Sequence, residues 1–239
     1  MENLRLDDFT KYKFLSGLKY SPDKAKLAFV LHEMNVDENK YLSNIYIYHK
    51  EKDKYLKLTS GDSENNFLFK DDNTLLFPAL RDKKDKSRKE KGEDLTCYYE
   101  ISLLGGEANK VFEIPLNVTK IEMLDEDNFI LTALYDYNKP KLEGLNEDEK
   151  EKALKQMAEE KDYQIIDEIP FWFNGQGFTN KQRNRLYIYN IKENLITPIT
   201  DEFTNVESFK LDQDKSKAII IANSFIDKMY VNPIYIFII

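Results

Sequence analysis

A chain of 239 residues, 41% of them hydrophobic, can bury a sizeable core as one large all-β domain or two smaller ones. A net charge of −8 argues against a general nucleic-acid binder, which needs a basic face, and a lone Cys97 excludes an internal disulfide and a cysteine-based metal cluster. The start, MENLRLDDFTKYKF, has no basic stretch leading into an apolar run, so no secretion signal is read and a cytoplasmic protein is expected.

Fifteen Tyr and fifteen Phe against one Trp suit a chain built of strands. YSPDKAKLAFVL (20–31) reads as a turn leading into an apolar strand. It is followed by NIYIYHK (44–50), an aromatic strand, and by KYLKLTSG (54–61), an outer strand. The same order returns in FKDDNTLLFPAL (69–80), CYYEISL (97–103) and NKVFEIPL (109–116). Between the first two of these lies RDKKDKSRKEKGED (81–94). Its seven basic and five acidic residues, with no apolar one, read as a solvated, mobile loop.

A third round begins at LDEDNFILTALY (124–135) and resumes at RLYIYNI (185–191) and NLITPITD (194–201). The interval holds LNEDEKEKALKQMAEEKDY, whose composition predicts a helix over 146–161. Asn146 and Glu149 stand at capping-box spacing, and Leu154, Met157 and Ala158 form a thin apolar stripe. The only tryptophan follows in DEIPFWFNGQGFTNKQRN. Phe171, Trp172 and Phe173, with an Asn174-Gly175 turn, either pack the insert or line a pocket. LDQDKSKAIIIA (211–222) opens a fourth round, and PIYIFII (233–239) is its aromatic strand.

Two markers repeat in step. Tyr46, Tyr99, Tyr187 and Tyr235 are spaced by 53, 88 and 48 residues; Asp23, Asp72, Asp127 and Asp214 are spaced by 49, 55 and 87. The shared irregularity marks a repeat of four antiparallel strands in about 50 residues, the blade of a β-propeller. The expected fold is all-β, a partial propeller of about four blades with one inserted helix and an incomplete ring. Blade one spans about 10–61, blade two 65–117, blade three 119–201 with a helical insert over 138–184, and blade four 206–239. Each aspartate is expected to close its hairpin by accepting a backbone N–H two residues on. Six apolar residues at the end, too short to span a membrane, read as a strand cut off before its outer partner. An open edge of this kind invites self-association.

No G-x-S-x-G, no phosphate loop and no metal-ligand spacing is present, and His32 and His49 have no nucleophile partner in the pattern. No catalytic residue, no cofactor and no metal site is therefore expected, and the chain alone is expected to be inactive.

The YSPDKAKLAFV start, the NIYIYHKEKDKYLKLTSG continuation and above all YQIIDEIPFWFNGQGFTNKQRNRLYIYNI resemble the prolyl oligopeptidase family of serine peptidases, near its acylaminoacyl-peptidase and dipeptidyl-aminopeptidase-like members. The resemblance covers residues 10 to 228. It implies a propeller that caps a C-terminal α/β-hydrolase domain and gates the entry of peptide substrates. The expected partners are that domain and peptides, with no nucleic acid and no membrane. The rival expectation is a stand-alone, TolB-like scaffold that binds proteins.

Overall fold

The computed structural model describes residues 5–142, 144–160, 162–163, 165–169 and 171–225, together with the backbone of 226 and 229–238. The chain divides into two compact units, Met1–Asp82 with Thr96–Glu113, and Lys83–Leu95 with Ile114–Ile239.

The first unit opens with β1 (Phe14–Tyr20), β2 (Lys26–Asn35), β3 (Lys40–His49) and β4 (Lys54–Lys57), an antiparallel sheet in chain order. Period-2 patterning decides its faces. Ala28 pairs with Ile47 and Val30 with Ile45, all four fully buried, while on the opposite face Phe29 stacks on Tyr46 at 5.7 Å. A second sheet follows as β5 (Leu68–Asp71), β6 (Thr74–Pro78), β7 (Thr96–Ser102) and β8 (Asn109–Ile114), again in chain order. Its central strands are buried on both faces: Leu75 opposes Ile101, Phe77 opposes Tyr99, and Tyr98 stacks on Phe112 at 4.9 Å.

The second unit holds α1 (Lys83–Glu90), β9 (Asn117–Met123), β10 (Asn128–Asp136), α2 (Glu147–Glu160), the short β11 (Trp172–Phe173) and β12 (Gly177–Phe178), β13 (Gln182–Asn190) and β14 (Leu195–Pro198). Strands β9, β10, β13 and β14 form one antiparallel sheet, from which the α2–β12 segment projects between β10 and β13. The last sheet is β15 (Thr204–Leu211), β16 (Ala218–Ile226) and β17 (Met229–Ile238). Ile130 and Leu186 of one sheet pack with Val206, Phe209, Ala218, Ile220 and Ala222 of the other in a single buried cluster. Each large side chain buried there contributes about 1.5–3 kcal/mol. The fold is thus all-β, with three four-stranded antiparallel sheets and a last one of three strands, and Tyr46, Tyr99, Tyr187 and Tyr235 each occupy the third main strand of a sheet.

The turns depart from the expected pattern in two sheets of four. Asp23 Oδ1 accepts the Ala25 N–H at 3.0 Å and Asp214 Oδ1 the Ser216 N–H at 3.1 Å, as expected. In both turns the next lysine, Lys24 or Lys215, adopts a positive φ. Between β5 and β6, however, the closing residue is Asp71, bound to the Asn73 N–H at 2.7 Å, while Asp72 accepts the Asp23 N–H at 2.8 Å. Between β9 and β10 it is Asp125, which takes the N–H groups of Asp127 and Asn128, both at 2.9 Å; Asp127 instead meets Lys192 at 2.6 Å. These two hairpins are tighter, so an earlier aspartate reaches the turn amides.

Residues 83–90 are a helix, not the expected loop, giving two helices where one was read. The end of α1 supplies the physical reason. The Gly92 N–H donates to the Lys89 carbonyl and the Glu93 N–H to the Arg88 carbonyl, a Schellman closure with Gly92 at φ +99°. Arg88 also meets Asp85 at 3.5 Å and Glu93 at 3.1 Å. Helix α2 carries the expected capping box: Asn146 Oδ1 accepts the Glu149 N–H at 3.0 Å, and Glu149 returns a carboxylate to the Asn146 N–H at 3.1 Å. Its apolar stripe is shifted, however. Ala153, Leu154 and Met157 are half-buried and Ala158 is exposed.

A device that the sequence pattern did not announce recurs in both units. Lys19 of β1 donates to the Phe67 carbonyl at 2.9 Å and lies 5.6 Å from that ring's centre. Lys120 of β9 donates to the Phe209 carbonyl at 2.6 Å, 3.9 Å from the ring centre. In each unit a first-strand lysine reaches an aromatic residue in, or just before, the first strand of the following sheet.

Candidate binding site

The insert leaves β10 after Asp136 and returns at Gln182, two residues that face each other across the ladder. Its return is anchored by charge. Arg183 donates to the Glu168 carboxylate, both side chains being almost fully buried, and its Nη1 donates to the Gln182 carbonyl at 2.9 Å. The guanidinium lies 3.5 Å from the centre of the Phe225 ring. Burial pushes the Arg183 pKa down, opposed by the Glu168 charge. Glu168 also accepts the Lys181 N–H at 3.0 Å, Lys181 meets Asp167 at 2.6 Å, and Asn180 Nδ2 donates to the Ile165 carbonyl at 2.8 Å. At the root of the insert, Asp136 is held above the usual carboxylate range by burial, although it accepts the Asn138 N–H at 2.9 Å.

Between these anchors β11 and β12 make a two-stranded hairpin. Trp172 pairs with Phe178 and Phe173 with Gly177, and Asn174-Gly175 forms the turn, Gly175 at φ +80°. Alternation therefore sends Trp172 and Phe173 to opposite sides. Phe173 and Gln176 border a cavity of about 670 Å³, within the range of small-ligand pockets. Arg183, Asn184, Asn205, Asn223 and Phe225 form much of the remaining wall.

Of the five residues singled out in the sequence, Phe173 alone borders the cavity. Trp172 is half exposed beside Phe178, Phe171 is partly exposed, and Asn174 and Gly175 stand at the hairpin tip with open space around Gly175. The asparagines and Arg183 were missed, because no local motif joins them. They come together only through β13, β15 and β16.

Each ring nitrogen of His32 does have a hydroxyl partner, contrary to the sequence reading. Ser16 Oγ lies 2.6 Å from Nε2 and Ser43 Oγ 2.8 Å from Nδ1. Among the described residues no carboxylate orients this ring, so the group is a bridge across β1, β2 and β3.

No family model matches the sequence. Over 197 residues, 81% of this chain, it is 25% identical to an uncharacterized peptidase, YuxL, of Bacillus subtilis (strain 168), and it covers 27% of that protein. The acylaminoacyl peptidase of Pyrococcus horikoshii superposes with a TM-score of 0.61 at 16% identity, over 97% of this chain and 31% of that one. In sequence and in fold, this chain resembles the propeller segment of a prolyl oligopeptidase-family peptidase. TolB of Acinetobacter baumannii shares the fold with a TM-score of 0.50 at 14% identity, over 95% of this chain and 43% of that one. The chain spans about a quarter of the curated relative's length. Among the described residues no helix is long and apolar enough to cross a membrane.

Proposed function

We propose that this chain is the propeller segment of a cytoplasmic serine peptidase, and that residues 1–239 act as one partial propeller, with blades over about 10–61, 65–117, 119–201 and 206–239. It limits which peptides reach a catalytic α/β-hydrolase domain carried by the same parent protein. The observation that carries this reading is the match to a peptidase along four-fifths of the chain, with a fold shared with an acylaminoacyl peptidase. A charged exterior and a strand-built frame suit a rigid cap. Among the described residues β17 pairs only with β16, and its other edge is proposed as a surface for self-association.

The coding sequence beyond residue 239 tests the reading. A G-x-S-x-G within about 200 further residues, one domain length, supports it. Further blades followed by a stop codon would replace it with the stand-alone scaffold, a reading favoured only by the fold shared with TolB.

A further inference from the structure

The cavity beside β13 holds one cation that is matched and one carboxylate that is not. Arg183 is committed to Glu168, and its guanidinium covers the Phe225 ring. Glu207 accepts from Asn223 Nδ2 at 2.5 Å but has no cation partner among the described residues. Carboxamides make up much of the remaining polar wall. Asn205 Oδ1 accepts the Asn184 backbone N–H at 2.9 Å, which leaves Asn205 Nδ2 as a donor. Gln182 Nε2 donates to Asp136 at 3.4 Å, which leaves Gln182 Oε1 as an acceptor. Asn184 meets the Thr119 hydroxyl at 3.1 Å and can do so either way round, and the exposed Gln176 adds a further amide. Donors and acceptors therefore stand side by side, with one unmatched negative charge. With Phe225 covered, the ring open to a ligand is that of Phe173, which is half exposed.

We propose that this cavity binds a neutral saccharide. A sugar hydroxyl donates and accepts through one oxygen, which is what a wall of carboxamides beside a carboxylate calls for. Adjacent hydroxyls donate to Glu207, where the charge strengthens each bond. Others accept from Asn205 Nδ2 and donate to Gln182 Oε1. The C–H face of the sugar ring lies on Phe173, whose aromatic face carries the negative part of its quadrupole. An anion is repelled by Glu207. An ammonium satisfies Glu207 but brings no acceptor to Asn205. Such binding is a property of this chain and stands or falls apart from the peptidase reading.

The full chain, labelled with nitrogen-15, is titrated with maltose, cellobiose and N,N′-diacetylchitobiose and followed by proton–nitrogen NMR. Glycerol, spermidine and N-acetyl-trialanine amide are titrated in parallel. At least one disaccharide is expected to saturate with a Kd below about 10 mM, the range of weak sites, and to move the side-chain NH₂ resonances of Asn184 and Asn205. Phe173→Ala removes the ring, and Glu207→Gln keeps an acceptor for Asn223 while removing the charge. Each should weaken that binding at least about fivefold at an unchanged thermal midpoint. Saturation by none of the three disaccharides overturns the proposal, as does undiminished binding in either variant. Glycerol moving the same resonances as far at equal concentration overturns it too, and so does spermidine or the blocked peptide binding more tightly than every disaccharide. If a variant melts early, the unaltered chain decides: shifts at Asn184 and Asn205 on adding the disaccharide support the site, and stationary resonances there overturn it.

Discussion

Replacing Arg183 with Ala tests how the insert is held. The change leaves the Glu168 carboxylate buried with the Lys181 N–H as its remaining hydrogen-bond donor among the described residues, and strips the cation from the face of Phe225. Breaking a buried ion pair from one side costs about 3–5 kcal/mol, because the remaining charge stays desolvated. The lost cation–π contact adds about 1 kcal/mol. A destabilisation of about 4–6 kcal/mol is therefore expected for Arg183→Ala. The double change Glu168→Leu with Arg183→Met removes both charges and should lose less than the single one. Urea unfolding, followed in parallel by far-ultraviolet dichroism and Trp172 fluorescence, separates two outcomes. If the pair holds the whole unit, both signals shift together; if it holds the insert alone, only the tryptophan transition moves. Either result fits an energetic clamp. A single variant within about 1 kcal/mol of the parent on both probes would refute it, as would a double variant as damaged as the sum of two singles.

Other outcomes follow from the turns and the insert. Asp125→Ala should destabilise the hairpin more than Asp127→Ala, since Asp125 Oδ1 accepts two backbone N–H groups. Asp127→Ala loses only an exposed pair with Lys192 and should cost under about 1 kcal/mol; equal losses in denaturant melts would sink the assignment. Asp136 has a raised folded pKa, so its ionised form opposes folding at neutral pH and that penalty fades as pH falls through the folded value toward the unfolded one. Asp136→Asn should accordingly raise the thermal midpoint at pH 7, with the gain shrinking toward pH 4; a gain that grows in acid contradicts the burial argument. Gly92→Ala should destabilise α1 by about 1 kcal/mol or more, because φ is +99° and the new Cβ meets Met157 Cε at 3.4 Å. A neutral effect in a thermal melt would count against the Schellman closure.

The strand order was legible because each blade must repeat the same alternation, so the tyrosines and turn acids recur in step even across an insert. Which aspartate closes a turn was not legible in two hairpins. That depends on hairpin length, and one residue more or less changes which carboxylate reaches the amides. Helix α1 was hidden by its composition. With no apolar stripe it looked like a loop, although Arg88, Lys89 and Gly92 already gave the sequence of a helix stop. The capping box of α2 was readable because its two partners are local. The cavity was not, since Thr119, Asn184, Asn205 and Asn223 lie on β9, β13, β15 and β16 and meet only because β10 pairs with the distant β13 and β13 packs beside β15. The aromatic run gave a true pointer to the hairpin. Strand alternation then assigned its neighbours to different sides, so Phe173 meets the cavity and Trp172 does not.

The paired roots of the insert carry a consequence for how this architecture tolerates change. Asp136 and Gln182 are ladder partners, so the segment between them begins and ends at nearly one point on the sheet. A segment attached in this way behaves as a closed loop, and doubling its length adds only about 0.6 kcal/mol of closure entropy. The sheet beneath keeps its register whatever the loop contains. This position is therefore a graft point: foreign sequence can be spliced in, or the helix and hairpin removed, while the strands below fold as before, provided that Arg183 and Glu168 are replaced as a pair.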